Sequence, residues 1–182
     1  RLLRQSQQID PLLGEAHAWW AYAVVLGMVY WDTAPTASAL DEALAACTRA
    51  LSLDPQNATF HALRGRVHLA RCEYDMALAD NETAIRLNPT FAAAHCGMGD
   101  SLAYEGRYDE AIGRFRKAIE LSPNDADALS YFASWSWMQG RADEAEELYR
   151  RALEVDPLSL VRYADLGYKL AFGGSRDAAL TV

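Results

Sequence analysis

The chain has 182 residues, 51% of them apolar and 23% charged, with 11 glycines and six prolines, which argues against a disordered or collagen-like protein. Its formal net charge of −8 argues against an electrostatic grip on nucleic acid, and no basic, aromatic-bearing helix offers itself to a membrane surface. Three widely spaced cysteines, Cys47, Cys72 and Cys96, fit neither a disulfide framework nor a CxxC metal site, and read as reduced thiols in a cytoplasmic compartment. Arg1-Leu2-Leu3-Arg4 runs straight into polar residues, unlike a signal peptide, and the apolar run Ala16 to Trp31 is broken by His17 and too short to span a bilayer.

From the N-terminus, residues 1–11 read as the end of a second helix from a preceding unit, with Ile9-Asp10-Pro11 as its terminus. Four similar phrases follow: Leu53-Asp54-Pro55, Leu87-Asn88-Pro89, Leu121-Ser122-Pro123 and Val155-Asp156-Pro157, their prolines 34 residues apart. A period of this size marks a solenoid, in which each unit must stack on its neighbours to bury a core. The units predicted are 12–55, 58–89, 92–123, 126–157 and a partial one over 160–182. The first is longer by ten residues, placed near 28–37; its first helix is predicted to run to about Trp31, with a loop around Thr33-Ala34-Pro35-Thr36. The last stops soon after Gly174-Ser175-Arg176-Asp177-Ala178-Ala179-Leu180 opens a second helix, as in a piece of a longer protein.

Within a unit the periodicity switches to that of helix. Tyr108, Ala111, Ile112, Phe115, Ala118 and Ile119 form one apolar stripe, Asp109 and Glu110 suit the first turn, and Pro123 stops the helix. Small residues recur as Ala43, Ala77, Ala111 and Ala145, and as Ala50, Ala84, Ala118 and Ala152. In a helix preceding each of these, Ala21, Gly65, Gly99, Ala133 and Gly167 share one position, which predicts a close helix crossing, while Gly106, Gly140 and Gly174 fit a left-handed turn near its end. Each unit is therefore a helix–turn–helix hairpin.

This pattern resembles the tetratricopeptide repeat family over nearly the whole chain. Met98, Gly99, Ala111, Phe115, Ala118 and Pro123 carry the motif in the third unit, and Leu129, Phe132, Ala133, Ala145, Tyr149, Ala152 and Pro157 in the fourth. The second unit is looser, with Asn81 where an aromatic is usual. The resemblance implies an all-α, right-handed superhelical solenoid of stacked antiparallel hairpins, whose concave face, lined by first helices, holds a partner peptide or helix.

Aligned inward positions are Glu15, Trp19, Tyr22 and Val25; Thr59, Leu63, Arg66 and Leu69; Ala93, Gly97, Asp100 and Tyr104; Asp127, Tyr131, Ser134 and Trp137; then Asp165 and Tyr168. Aromatic side chains give large contact areas at low entropic cost, so Trp19, Tyr22, Arg66, Asp100, Tyr104, Asp127, Tyr131, Ser134, Trp137 and Tyr168 are the candidate partner-binding residues. Tyr104, Tyr131 and Trp137 are expected to face the groove more openly than Trp19. The lysines, asparagines and arginine with which one subgroup of the family grips a chaperone's C-terminal carboxylate are replaced here by Ala18, Tyr22, Leu63, Ala93 and Gly97.

No catalytic residue, cofactor or metal is expected. His17, His61 and His95 share one position in successive units, too far apart for one zinc ion, and read as packing residues, as does His68. Gly97-Met98-Gly99 lacks the context of a phosphate loop, and Asp143, Glu144, Glu146 and Glu147 read as a solvated face with Arg150 and Arg151 as partners.

The reading is a non-catalytic interaction scaffold with a protein or peptide partner, no nucleic acid and no membrane. One alternative is a homo-oligomer stacked through terminal helices, with Leu166, Leu170 and Phe172 exposed. Another is the sensory region of a bacterial regulator: the lengthened first unit and Asp156-Pro157-Leu158-Ser159-Leu160 are similar to repeats that follow a separate effector domain in bacterial signalling proteins.

Overall fold

Small residues at the helix crossings and a proline after the second helix give each of the four full repeats two helices. The computed structural model describes residues 5–6, 9–10, 12–30 and 36–172, and its elements are all helices. They are α1 (Gly14–Tyr30), α2 (Ala37–Leu53), α3 (Ala58–Ala70), α4 (Tyr74–Leu87), α5 (Ala92–Tyr104), α6 (Tyr108–Leu121), α7 (Ala126–Met138), α8 (Ala142–Val155) and α9 (Leu160–Phe172). Two compact units comprise residues 1–111 and 112–182, with α6 passing from one into the other. In the first, α1 pairs with α2 and α3 with α4, while α3 packs between α1 and α5. In the second, α7 pairs with α8, and α9 rests on α8. The chain adopts the all-α helical-repeat class expected from its periodicity.

Two local devices recur. Pro55, Pro89, Pro123 and Pro157 each stand two residues past the end of a second helix, where the missing N–H breaks no ladder. The polar residue before the proline folds the turn: Asp54 accepts from the Gln56 amide at 3.3 Å and Asn88 from that of Thr90 at 3.2 Å. Next, Asn57 and Asp125 accept from the first amides of α3 and α7, satisfying donors that have no partner within the helix. The histidine column belongs to the same turns: Nε2–H of His61 and of His95 donates to the carbonyls of Pro55 and Pro89, both at 3.0 Å. These side chains latch the inter-repeat loop as well as pack.

Between the two helices of a hairpin the chain closes with one left-handed residue. Gly106 and Gly140 have φ of 80° and 75°, and Cys72 takes the same place at 61°. The following amide returns five residues in each case, Glu73 to His68, Arg107 to Leu102 and Arg141 to Ser136, all at 2.9 Å. A Cβ in this conformation costs about 1–2 kcal/mol, so Cys72→Gly is expected to raise stability by about 1 kcal/mol in urea unfolding. A loss of stability would show that the thiol's own contacts outweigh the strain.

The core follows the repeat. Ala43, Ala77, Ala111 and Ala145 are buried, as are Ala50, Ala84, Ala118 and Ala152. Cys47, Asn81, Phe115 and Tyr149 share one 34-residue register and are all buried. Asn81, which made the second repeat look loose, sits in a tight enclosure. A Cβ added at Gly65 would lie 2.9 Å from its Nδ2, and one at Gly97 2.8 Å from its Oδ1. Two glycines thus bring neighbouring helices onto a side chain too short to span an ordinary separation, and its Nδ2 donates to the carbonyl of Ala77 at 2.9 Å.

The long first repeat lengthens its helices. Both α1 and α2 have 17 residues, against 13 in α3 and 14 in α4. Thr36 caps α2 by accepting from the Ala39 amide at 3.2 Å. Trp31 and all but Thr36 of the loop predicted around 33–36 lie outside the described residues, as do most of the tail assigned to 1–11 and the segment 174–182.

Candidate partner-binding faces

In the first unit the candidate face is formed by α1, α3 and α5, which lie side by side because their small-residue stripes let them approach. Trp19 is 44% exposed and meets the half-buried Tyr22 edge to face, ring centroids 6.0 Å apart. Trp19 is therefore more open than the sequence suggested. Val25 and Leu63, aligned as inward positions, belong instead to the buried cluster around Ala21 and Cys47.

The two charged candidates of this unit bind each other. Arg66 Nη1 donates to Asp100 Oδ2 at 2.7 Å, with side chains 13% and 4% exposed. They stand 34 residues apart, so the bond links equivalent positions on adjacent first helices. A buried, directly paired guanidinium and carboxylate are costly to separate, and this pair holds α3 to α5. Tyr104 is 56% exposed, but its ring stacks on Tyr74 of α4, centroids 5.6 Å apart and 6° from parallel. The 34-residue equivalent of Trp137 is Ala103, which is buried; Tyr104 is one position further and turns toward the second helix.

In the second unit α7 and α9 carry the candidates. Arg162, buried near the start of α9, engages one of them directly. Its Nη1 donates to Asp156 at 2.6 Å, its Nε to Ser130 Oγ at 3.1 Å, and its Nη2 to Asp127. Asp127 is thus engaged by its own chain. Ser134 is too, its hydroxyl 2.6 Å from that of Tyr149. Tyr131 and Trp137 are half-buried, and Tyr168 is 58% exposed. Lys169 Nζ stands 5.9 Å from the Trp137 ring centre and 5.7 Å from that of Tyr168, within reach of both π-faces. Burial pushes the Asp165 carboxyl above its ordinary value, and Lys169 and Arg162 partly offset this.

The arrangement therefore separates two roles. Arg66, Asp100, Asp127 and Ser134 tie first helices and hairpins together, while Trp19, Tyr22, Tyr131, Trp137 and Tyr168 present ring surface. Arg162 and Lys169 were missed from the sequence. A signal for Arg162 existed: its equivalents in the two preceding repeats are Ala128 and Ala94, and an arginine in a small-residue column needs several partners. The α9 leucines expected at an open end are buried, Leu166 and Leu170 packing inward; exposed apolar surface lies instead at Leu158 and Leu160, just before and at the start of the helix. Among the described residues no group of three His, Cys, Asp or Glu side chains is placed to hold a metal ion, and no helix is long and apolar enough to cross a membrane.

Comparison with solved structures shows the same helical-repeat fold. TTC0263, a thermophilic TPR protein of Thermus thermophilus, is 23% identical with a TM-score of 0.78, covering 93% of this chain and 87% of its own. MamA is 22% identical with a TM-score of 0.61, over 93% of this chain and 88% of its own. YrrB, described as a TPR protein with an unusual peptide-binding site, is 23% identical with a TM-score of 0.56, over 100% of this chain and 88% of its own. No curated protein matches the sequence. Two family models, each described as Tetratricopeptide repeat, match residues 37–90 and 90–157. Those matches cover the hairpins from α2 to α8, with their shared turns and alanine columns, and the chain belongs to the tetratricopeptide repeat family.

Proposed function

We propose that the chain is a non-catalytic protein-interaction scaffold that holds a partner peptide or helix against first helices, with Trp19 and Tyr22 as contacts in the first unit and Tyr131, Trp137 and Tyr168 as contacts in the second. The observation that carries this reading is the division of labour on those helices: the charged candidates are bonded within the chain, whereas large aromatic rings remain partly or largely open. Family membership supports a binding role in general, and the peptide-binding site ascribed to the similar YrrB makes a peptide the natural first ligand. The three widely spaced cysteines, Cys47, Cys72 and Cys96, are in keeping with a reducing, cytoplasmic setting.

The test is affinity capture from native lysate, comparing the chain with its Tyr131→Ala/Trp137→Ala variant. Each truncated aromatic anchor is expected to cost about 2 kcal/mol or more, so partners held by the first are lost from the second by at least about thirtyfold in affinity. Helicity measured by circular dichroism should stay unchanged. Retention of the same partners by the variant would remove the aromatic face as the binding site.

A further inference from the structure

The second unit contains a cleft of about 100 Å³ beside Trp137. Small-molecule pockets run to about 300–1,000 Å³, so this one has room for a single side chain. Trp137 of α7 forms one wall. Leu166 and Leu170 of α9 supply an apolar floor, and Asp143 and Glu146 from the start of α8 put two carboxylates on the rim. Lys169 closes the far side, with its ammonium drawn toward the Trp137 and Tyr168 rings. The cleft thus combines what a long basic side chain needs: apolar surface for its methylenes, an aromatic face and carboxylates for its head. Lys169 shows that a cation can settle against this indole. Glu146, which accepts from Arg150 at 2.8 Å, stands beside the opening.

Resting on the reading of this face as partner-binding, we propose that the cleft is a subsite for one basic side chain, an arginine, from the partner segment. Its guanidinium stacks on Trp137, displacing the Lys169 ammonium, and pairs with Asp143 at the rim. Arginine is preferred to lysine because a planar, weakly hydrated head both stacks and forks onto a carboxylate. The net charge of −8 acts in the same direction, by favouring encounter with basic partners.

The test uses the whole chain, ¹⁵N-labelled, and three blocked pentapeptides, Gly-Gly-X-Gly-Gly, with Arg, Glu or Leu at the centre. The indole N–H of Trp137 is assigned by Trp137→Phe. The Arg peptide is expected to shift that signal saturably and at least about threefold more tightly than the Glu or Leu peptide. Asp143→Asn should weaken the Arg peptide about threefold, and Lys169→Gln, which removes the competing ammonium, should strengthen it by a similar factor. Preference for the Glu peptide, or an Arg affinity unmoved by both substitutions, would overturn the basic subsite while leaving the aromatic face in place as a binding surface. If no peptide moves any α7 or α9 resonance, the subsite is refuted; the aromatic-face reading then stands or falls with the capture experiment on Tyr131→Ala/Trp137→Ala.

Discussion

Asp80→Ala is expected to destabilise the protein by about 3–5 kcal/mol in urea unfolding, more than any surface substitution. The Asp80 side chain is only 6% exposed and lies inside the α3–α4 hairpin. It accepts from Arg64 twice, Nε at 2.8 Å and Nη2 at 2.6 Å, and lies 3.3 Å from His61 Nδ1 and 3.7 Å from His68 Nε2. His68 in turn reaches Glu73 through Nδ1 at 2.6 Å. Alanine would remove the shared carboxylate and leave a guanidinium without its bidentate partner in a mostly buried site.

The other repeats show that this network is not required by the fold. At the positions of Arg64, His68 and Asp80, the third repeat has Met98, Leu102 and Arg114, and the fourth has Phe132, Ser136 and Leu148. The triple variant Arg64→Met, His68→Leu, Asp80→Leu should therefore recover the loss and equal or exceed the original stability, by up to about 4 kcal/mol. An Asp80→Ala cost below about 1 kcal/mol would mean that water reaches the network and that the hairpin is held by its alanine contacts alone.

Tyr149→Ala is expected to cost about 3–5 kcal/mol, while Tyr149→Phe costs about 1 kcal/mol. The ring is completely buried at the centre of the second unit, in the register also occupied by Phe115, which stacks on Phe132 with centroids 5.6 Å apart. The ring therefore supplies most of the energy, and the hydroxyl only its bond to Ser134. The hydroxyl has a separate signature. Burial pushes its pKa from 10.0 up to about 12, with the Ser134 bond acting the other way.

A pKa raised on folding contributes stability below the unfolded value and loses it as pH rises through the folded value. Between pH 10 and about 12 the Tyr149 contribution should fall by roughly 2 kcal/mol. The buried Cys47 thiol, pushed from 9.0 to about 12 chiefly by burial, adds a loss that begins about one unit lower. Urea midpoints measured from pH 9 to 12 should decline steeply in the original chain and less in Tyr149→Phe. Identical slopes would show that Tyr149 ionises in the folded state without penalty.

The difference between sequence and structure is clearest residue by residue. Pro123 and the Ala111–Ala118 spacing marked α6 because a helix stop and an apolar stripe are local properties. Gly106 and Gly140 marked the tight turns for the same reason, but Cys72 did not, since a positive φ on a non-glycine residue has no sequence signal. Among the candidate contacts, alignment found Trp137 and Tyr168, which present ring surface. It also selected Arg66 and Asp100, which are spent on each other, because two opposite charges one repeat apart become neighbours only when the helices stack.

The sequence by itself determined the repeat, its helices, the loop prolines and the columns of small residues, all of which arise from periodicity and backbone preference within about 34 residues. Tertiary structure decided which polar side chains are used up internally. It made Arg162 a hub for Asp127, Ser130 and Asp156, enclosed Asn81 between two glycines, and placed Lys169 beside Trp137. Hydrogen bonds and ion pairs act over about 3–4 Å between groups distant in the chain, so their partners are set by how the hairpins pack and not by composition.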